Sequence, residues 1–171
     1  MSGEIRQAFD RQAQALRLRP GIGVGTAVTV ARVGEGMTCE VEDGDWRLTV
    51  DMPAKHGGRN AGPNPGVLGR ASLASCAAIG YVRWAAKLGV PIDALEVEVQ
   101  ADYDVRGEMG IDDDVPPGYV EMRYLVRIAS SAPEEQVMAM LDAADAHSSY
   151  VDNFARAVPL RRQVELRRPE G

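Results

Sequence analysis

The two cysteines carry the most reactive side chains of this sequence, and their surroundings differ. Cys76 lies within residues 71–78 (ASLASCAA), a small, apolar stretch of helical composition. A thiol in such a place is either a buried packing group or, if a nearby cation lowers its pKa, a nucleophile. Cys39 shares the apolar alternation of Met37 and Val41 in a predicted strand, so we interpret it as a core residue.

Activation of Cys76 would require a cation from another part of the chain. Its i+3 and i+4 neighbours are Ile79 and Gly80, and it lies too far along the helix for the dipole to lower its pKa. Arg83, seven residues later on nearly the same helical stripe, could lean back toward the sulfur. Arg32 continues the inward phase of a strand, where a charge needs a partner or a cleft. The alternative for both is an ordinary arginine, with its head group in water or paired with a carboxylate.

Other site chemistries find little support. His56 and His147 have no companions at metal-ligand spacing, so we expect no metal site. The glycines of residues 21–25 precede a strand instead of linking a strand to a helix, which is not the dinucleotide-binding pattern. The aspartates of residues 112–114 lack the spacing of a calcium loop. We therefore predict no cofactor.

Length and charge narrow the class of protein. The chain has 171 residues, with 19 basic and 25 acidic side chains and a net charge of −6. A chain of this length can bury roughly two-thirds of its unfolded surface without disulfides or metals. The acidic balance argues against nucleic acid as a partner, and no apolar stretch suggests a membrane span or a signal peptide. We expect a single cytoplasmic domain over residues 1–171.

The predicted elements that must position these residues follow an α+β order. Helices are predicted at 3–19, 66–88, 133–146 and 150–156. Strands are predicted at 24–32, 37–41, 46–52, 97–105 and 120–128, with a last strand that contains Val158, Leu160, Val164 and Leu166. The helix at 66–88 is apolar on nearly all sides. It should be the buried centre, wrapped by a mainly antiparallel sheet.

The loop and helix before Cys76 resemble the signature of the OsmC/Ohr family, the osmotically inducible and organic-hydroperoxide-resistance proteins. The matching stretch is residues 62–68 (GPNPGVL) followed by residues 71–76, and the likeness extends over roughly residues 24–167. The resemblance implies an OsmC-like α+β fold and an intertwined homodimer, whose sheets wrap two central helices. The helix at 3–19 is an amino-terminal extension outside this region.

The resemblance also implies a chemistry, from which this sequence departs twice. In active members the cysteine at the position of Cys76 attacks an organic hydroperoxide, an arginine steadies its thiolate, and a second cysteine closes a disulfide that a dithiol reopens. Arg32 is the nearest match to that arginine. Ser148 stands at the position of the resolving cysteine. Gly66 and Val67 stand where an acidic residue is expected.

Two functional hypotheses follow. The first is an OsmC-like peroxidase that reduces small organic hydroperoxides through Cys76, with Arg32 or Arg83 as the activating charge and an external dithiol as the reductant. An arginine should then approach the sulfur from Arg83 or from across the subunit boundary. The second is a non-catalytic OsmC-fold dimer that binds a small apolar ligand and uses Cys76 for packing.

Overall fold

Helices and strands come in blocks along the chain, as an α+β order requires. The computed structural model describes residues 2–168; residues 1 and 169–171 of the predicted domain lie outside the described residues. The helices are α1 (Ser2–Leu18), α2 (Pro65–Leu88), α3 (Val105–Glu108), α4 (Glu134–Asp145) and α5 (Ser149–Ala155). The strands are β1 (Thr29–Val33), β2 (Cys39–Asp43), β3 (Trp46–Val50), β4 (Ala94–Tyr103) and β5 (Tyr119–Ala129).

Strands β1, β2 and β3 form the predicted antiparallel meander. Asp43 pairs with Trp46, so the two residues between them make a tight turn in which Gly44 adopts a positive φ of 55°. The first strand is shorter than the predicted 24–32. Its ladder ends where Thr29 meets Asp43, because β2 turns away there, and every residue of β1 is exposed.

Helix α2 begins and ends at residues whose side chains favour those positions. The Asn64 side chain accepts a hydrogen bond of 3.0 Å from the backbone N–H of Val67, Pro65 occupies the first turn, and Gly89 ends the helix with a φ of 74°. One face of α2 packs against α4 and the β4–β5 hairpin. The shared core consists of Ala77, Tyr81, Ala85, Val90, Val137, Met140 and Ala144.

The opposite face of α2 departs from the prediction of a helix buried on all sides. Ile79 on that face is 62% exposed, and Val82 is also exposed. Within one chain, the hairpin and α4 cover a single side of the helix. Composition predicts that an apolar helix will be covered, but not that its own chain will supply the whole cover.

The prediction of a last strand is wrong for the described chain. Residues 157–168 have no regular secondary structure, and Leu160 and Leu166 are 95% and 84% exposed. The alternation of apolar residues there is real, but a strand also needs a neighbouring backbone with which to exchange hydrogen bonds. Among residues 2–168, no strand pairs with this segment.

Helix α1 docks on the carboxyl-terminal half of α2. Phe9 meets Trp84 edge to face with ring centroids 6.0 Å apart, and the Lys87 ammonium lies 3.7 Å from the Trp84 centroid. These contacts partly cover one face of α1, although none of its residues is fully buried. No helix in the described part of the chain is both long and apolar enough to cross a membrane.

Candidate functional site

The sulfur of Cys76 lies against the beginning of α5. Its Sγ is 3.6 Å from the Ser148 Oγ and 3.6 Å from the Ser149 Oγ. The backbone N–H groups of Ser149 and Tyr150 also act on the sulfur and lower the pKa of the thiol. Four donors from three successive residues therefore surround a half-buried thiol.

These donors change the acidity of Cys76. Burial raises the pKa of the thiol. Hydrogen bonds outweigh burial and lower the pKa below the ordinary cysteine value; they come from the side chain of Ser149, the backbone of Tyr150, the side chain of Ser148 and the backbone of Ser149. The thiolate, which is the nucleophilic form, is therefore more populated near neutral pH than in an ordinary cysteine. A cation was predicted in this role, whereas within one chain neutral donors act on the sulfur.

Ser148 connects the sulfur to the fold. It is the N-cap of α5, and its Oγ accepts a hydrogen bond of 3.4 Å from the backbone N–H of Val151. The buried hydroxyl thus contacts both the helix terminus and Cys76, which is 72 residues away in the chain. The structure places Ser148 beside the sulfur, but a hydroxyl cannot form a disulfide.

A carboxylate just before this turn is held by two tyrosines. The Tyr81 hydroxyl donates to one oxygen of Asp145 at 2.8 Å, and the Tyr124 hydroxyl donates to the other at 2.9 Å. Asp145 is the last residue of α4, where the helix dipole disfavours a negative charge, so these donors compensate it. Burial and the Asp145 carboxylate both raise the pKa of Tyr81 and Tyr124, which keeps them protonated as donors.

The two predicted arginines have other partners within the chain. Arg83 donates to the Gln12 side chain at 3.3 Å and lies over the Phe9 ring, so it contacts α1. Arg32 forms an exposed ion pair with Glu42 at 2.7 Å. The structure does not bring either guanidinium to the sulfur within one chain. That an arginine crosses a subunit boundary to reach Cys76 stays a prediction.

Gly66, one of the two positions at which an acidic residue was expected, is closely surrounded by other side chains. The Tyr119 hydroxyl donates to the Gly66 carbonyl at 3.0 Å, and Arg70 donates to the Tyr119 hydroxyl at 3.5 Å. A Cβ at Gly66 would lie 3.3 Å from the Asn64 Oδ1 and 3.4 Å from Arg70. Arg70 and Tyr119 therefore occupy this region, while Val67 is exposed.

An open, mostly apolar groove of about 520 Å³ lies between β5 and the two helices that meet at the thiol, α2 and α5, although Cys76 itself does not line it. Leu73 lies in its wall, one helical turn before Cys76 on the same face of α2. Val151, next to the Tyr150 whose backbone contacts the sulfur, lies in another wall. The remaining lining residues are Tyr119, Val120, Glu121, Met122, Tyr124, Phe154 and Ala155.

Cys39 is separate from this site. It lies half-buried on β2, where it pairs with Val33 and Val50, and both cysteines are free. Among residues 2–168, no group of His, Cys, Asp and Glu side chains is arranged to hold a metal ion.

Most of the polar partners of this site were not predicted from the sequence. Ser149 and the backbone donors at Ser149 and Tyr150 act through the geometry of a helix start, which a list of reactive residue types does not reveal. Two signals were available. A serine before a short helical segment is a typical N-cap, and a tyrosine inside an apolar helix, such as Tyr81, usually needs a hydrogen-bond partner.

Comparison with known proteins agrees with this fold. The family of OsmC-like proteins matches residues 56–162, more than half of the chain. The chain belongs to the OsmC family. No curated protein matches it.

Solved structures of this family share the fold at low identity. An OsmC-like protein from Mycoplasma pneumoniae is 17% identical, with a TM-score of 0.66 over 77% of this chain and 88% of that chain. An organic hydroperoxide resistance protein OsmC from Legionella pneumophila is 17% identical, with a TM-score of 0.53 over 75% and 88%. An organic hydroperoxide resistance protein from Elizabethkingia anophelis is 17% identical, with a TM-score of 0.56 over 75% and 87%.

Proposed function

We propose that this protein is a thiol-dependent peroxidase that reduces organic hydroperoxides through Cys76. The observation that carries the proposal is the position of the Cys76 sulfur at the start of α5, 3.6 Å from the Ser148 and Ser149 hydroxyls, and hydrogen bonds at this position lower the thiol pKa. Membership of a family that contains organic hydroperoxide resistance proteins supports the substrate class.

The first chemical step breaks the O–O bond of the hydroperoxide. The Cys76 thiolate attacks the distal oxygen, the sulfur is oxidised to a sulfenic acid, and the alkoxide leaves as the alcohol after taking a proton. Ser148 and Ser149 steady the thiolate before the attack. Apolar side chains such as Leu73 and Phe154 in the adjacent groove offer a surface for the organic part of the substrate.

The second step requires an external thiol, because Ser148 occupies the position of a resolving cysteine. One thiol of a small dithiol condenses with the sulfenic acid to give a mixed disulfide and water. The other thiol of the same dithiol then attacks that disulfide, which releases Cys76 reduced and the dithiol oxidised. Two electrons pass from the dithiol to the hydroperoxide in each cycle.

The test is consumption of cumene hydroperoxide by the purified protein with dithiothreitol as the reductant. Cys76→Ser should reduce the rate to background, and Cys39→Ser should retain it, because Cys39 lies on β2 away from the groove. Trapping with dimedone followed by mass spectrometry should locate the sulfenic acid at Cys76. Equal rates for the wild type and Cys76→Ser would overturn the proposal.

The apolar groove favours a second candidate, a non-catalytic protein that binds a small apolar ligand. In that case Cys76 would be a packing residue. Alkylation with iodoacetamide distinguishes the two candidates. The binding protein would be favoured if Cys76 reacts only in denatured protein and an apolar fluorescent probe binds saturably. A bulky substitution in the groove, such as Ala155→Trp, should then abolish that binding.

We further propose that the protein functions as a homodimer. The support is the amount of apolar surface that a single chain leaves open, on β1, on the Ile79 face of α2 and at Leu160 and Leu166. Sedimentation velocity should give twice the chain mass. The double variant Leu160→Asp, Leu166→Asp should shift the protein toward the monomer. A monomeric wild type at micromolar concentration would contradict this.

A further inference from the structure

Asp145 anchors the turn that holds the sulfur through both its side chain and its backbone carbonyl. The carboxylate accepts the hydroxyls of Tyr81 on α2 and Tyr124 on β5. The Asp145 backbone carbonyl accepts the N–H of Ser148 at 3.1 Å. One residue therefore ties the end of α4 and the start of α5 to the helix that carries Cys76 and to the sheet.

We propose that Asp145, clamped by Tyr81 and Tyr124, is a positioning residue that fixes Ser148, Ser149 and Tyr150 against the Cys76 sulfur. It acts on the thiol through these residues. The proposal rests on the proposed role of Cys76 as the reacting group. It adds that the tyrosine clamp, formed by Tyr81 and Tyr124 on Asp145, sets the distances between that group and its hydrogen-bond donors.

The geometry requires such a clamp because the donors are sensitive to small displacements. The two serine hydroxyls lie 3.6 Å from the sulfur, within the longer hydrogen-bond range of sulfur, and α5 is a short helix of seven residues. A short helix at the edge of the fold has little packing of its own to hold its first turn in place. Tyr81, 1% exposed in the core, and Tyr124 supply a rigid attachment three residues before the first donor.

A purely structural role for the clamp makes a different prediction. Loss of a buried hydroxyl would then lower the stability of the fold but leave the thiol of the folded protein unchanged. The pH midpoint of Cys76 alkylation, measured well below the unfolding temperature, separates the two roles. It needs no peroxidase turnover, so it can fail independently of the proposed function.

The experiment compares iodoacetamide alkylation of Cys76 in Tyr81→Phe, Tyr124→Phe and the double variant, each in a Cys39→Ser background. The double variant should move the midpoint toward that of an ordinary cysteine and reduce the thiolate fraction at pH 7 by about two- to fivefold. The hydroperoxide rate should fall in parallel. If the double variant does not fold, Tyr124→Phe alone, at a partly exposed position, carries the test with a smaller shift in the same direction.

Two controls match the changes. Tyr103→Phe removes a hydroxyl from an exposed tyrosine of β4, and Val90→Ala destabilises the same core without contacting Asp145. Both should keep the wild-type midpoint. A folded Tyr124→Phe or double variant with the wild-type midpoint would overturn the positioning role, even if the protein proves to be a peroxidase. A shifted midpoint in a protein without peroxidase activity would support the clamp and overturn the proposed function.

Discussion

The two halves of this chain differ in how much buried core each forms within a single chain. The carboxyl-terminal half, from α2 to α5, builds a core around Tyr81 and Met140, and every donor to the Cys76 sulfur comes from it. The amino-terminal meander of β1, β2 and β3 contains little buried surface. All of β1 is exposed, and Arg32, one of the two candidate activating arginines, lies there.

This difference separates two kinds of contribution to the proposed chemistry. Hydrogen bonds that lower the thiol pKa need short, fixed distances, and the half with a packed core supplies them. Of the two candidate guanidiniums, that of Arg32 lies in the meander, where all of β1 is exposed within one chain. The contrast agrees with our proposal that a second copy covers the meander, and the following predictions test it.

Substitution of Met140 should have the largest effect on stability. This side chain is fully buried in the core, so Met140→Ala should lower the free energy of unfolding by about 2–5 kcal/mol. Val30→Ala, at a partly exposed position of β1, should cost less than about 1 kcal/mol at protein concentrations that favour the monomer. Urea denaturation measures both. Similar losses at low concentration would show that the two halves do not differ.

Ser148→Cys should convert the sulfur site into an intrachain disulfide. The atoms to be joined lie 3.6 Å apart, and closing a loop of 72 residues typically adds about 2–4 kcal/mol. After mild oxidation, intact mass should fall by two hydrogens without a covalent dimer on a non-reducing gel. Ser130→Cys, at a site bonded to the Pro91 carbonyl, should keep its thiol free. Interchain crosslinking through position 148 would contradict a site completed within one chain.

Removal of Arg32 should affect catalysis more than folding. A guanidinium that pairs with the thiolate contributes about 1.5–3 kcal/mol, so Arg32→Gln should lower kcat/KM about 10- to 100-fold while shifting the melting temperature little. Arg83→Gln is the matched control, because Arg83 contacts Gln12 and Phe9 of α1. It should retain kcat/KM within about threefold. Equal losses would show that Arg32 has no special role.

The last prediction concerns the acid dependence of stability at Asp51, on the loop between the two halves. Burial raises its pKa, but backbone N–H groups of Ala61, Arg59 and Met52 outweigh burial and hold the pKa below the ordinary value. The resulting stabilisation is therefore complete above about pH 4 and is lost as pH falls through the lowered pKa. Asp51→Asn should be less stable at pH 7 and lose less on acidification, as urea denaturation at several pH values can measure. Parallel acid dependence would contradict this.

Much of the local structure was predictable, because its causes lie within a few residues. Asn64 and Pro65 begin α2, Gly89 ends it, and Gly44 makes the hairpin turn. The last strand was not predictable in this way. Its apolar alternation describes a side-chain pattern, whereas a strand depends on a backbone neighbour, which a distant segment or another chain has to supply.

By itself, the sequence determined the order of the main helices and strands up to α5, the OsmC family and the position of Cys76 on the central helix. These follow from periodicity, capping residues and a short motif, all of which act locally. The tertiary structure alone decided which groups meet the sulfur, since Ser148 and Ser149 reach it across more than 70 residues and Asp145 joins tyrosines from two elements. Hydrogen bonds to a thiol depend on distances of a few ångströms, and only the packing of α2, β5 and α5 sets those distances.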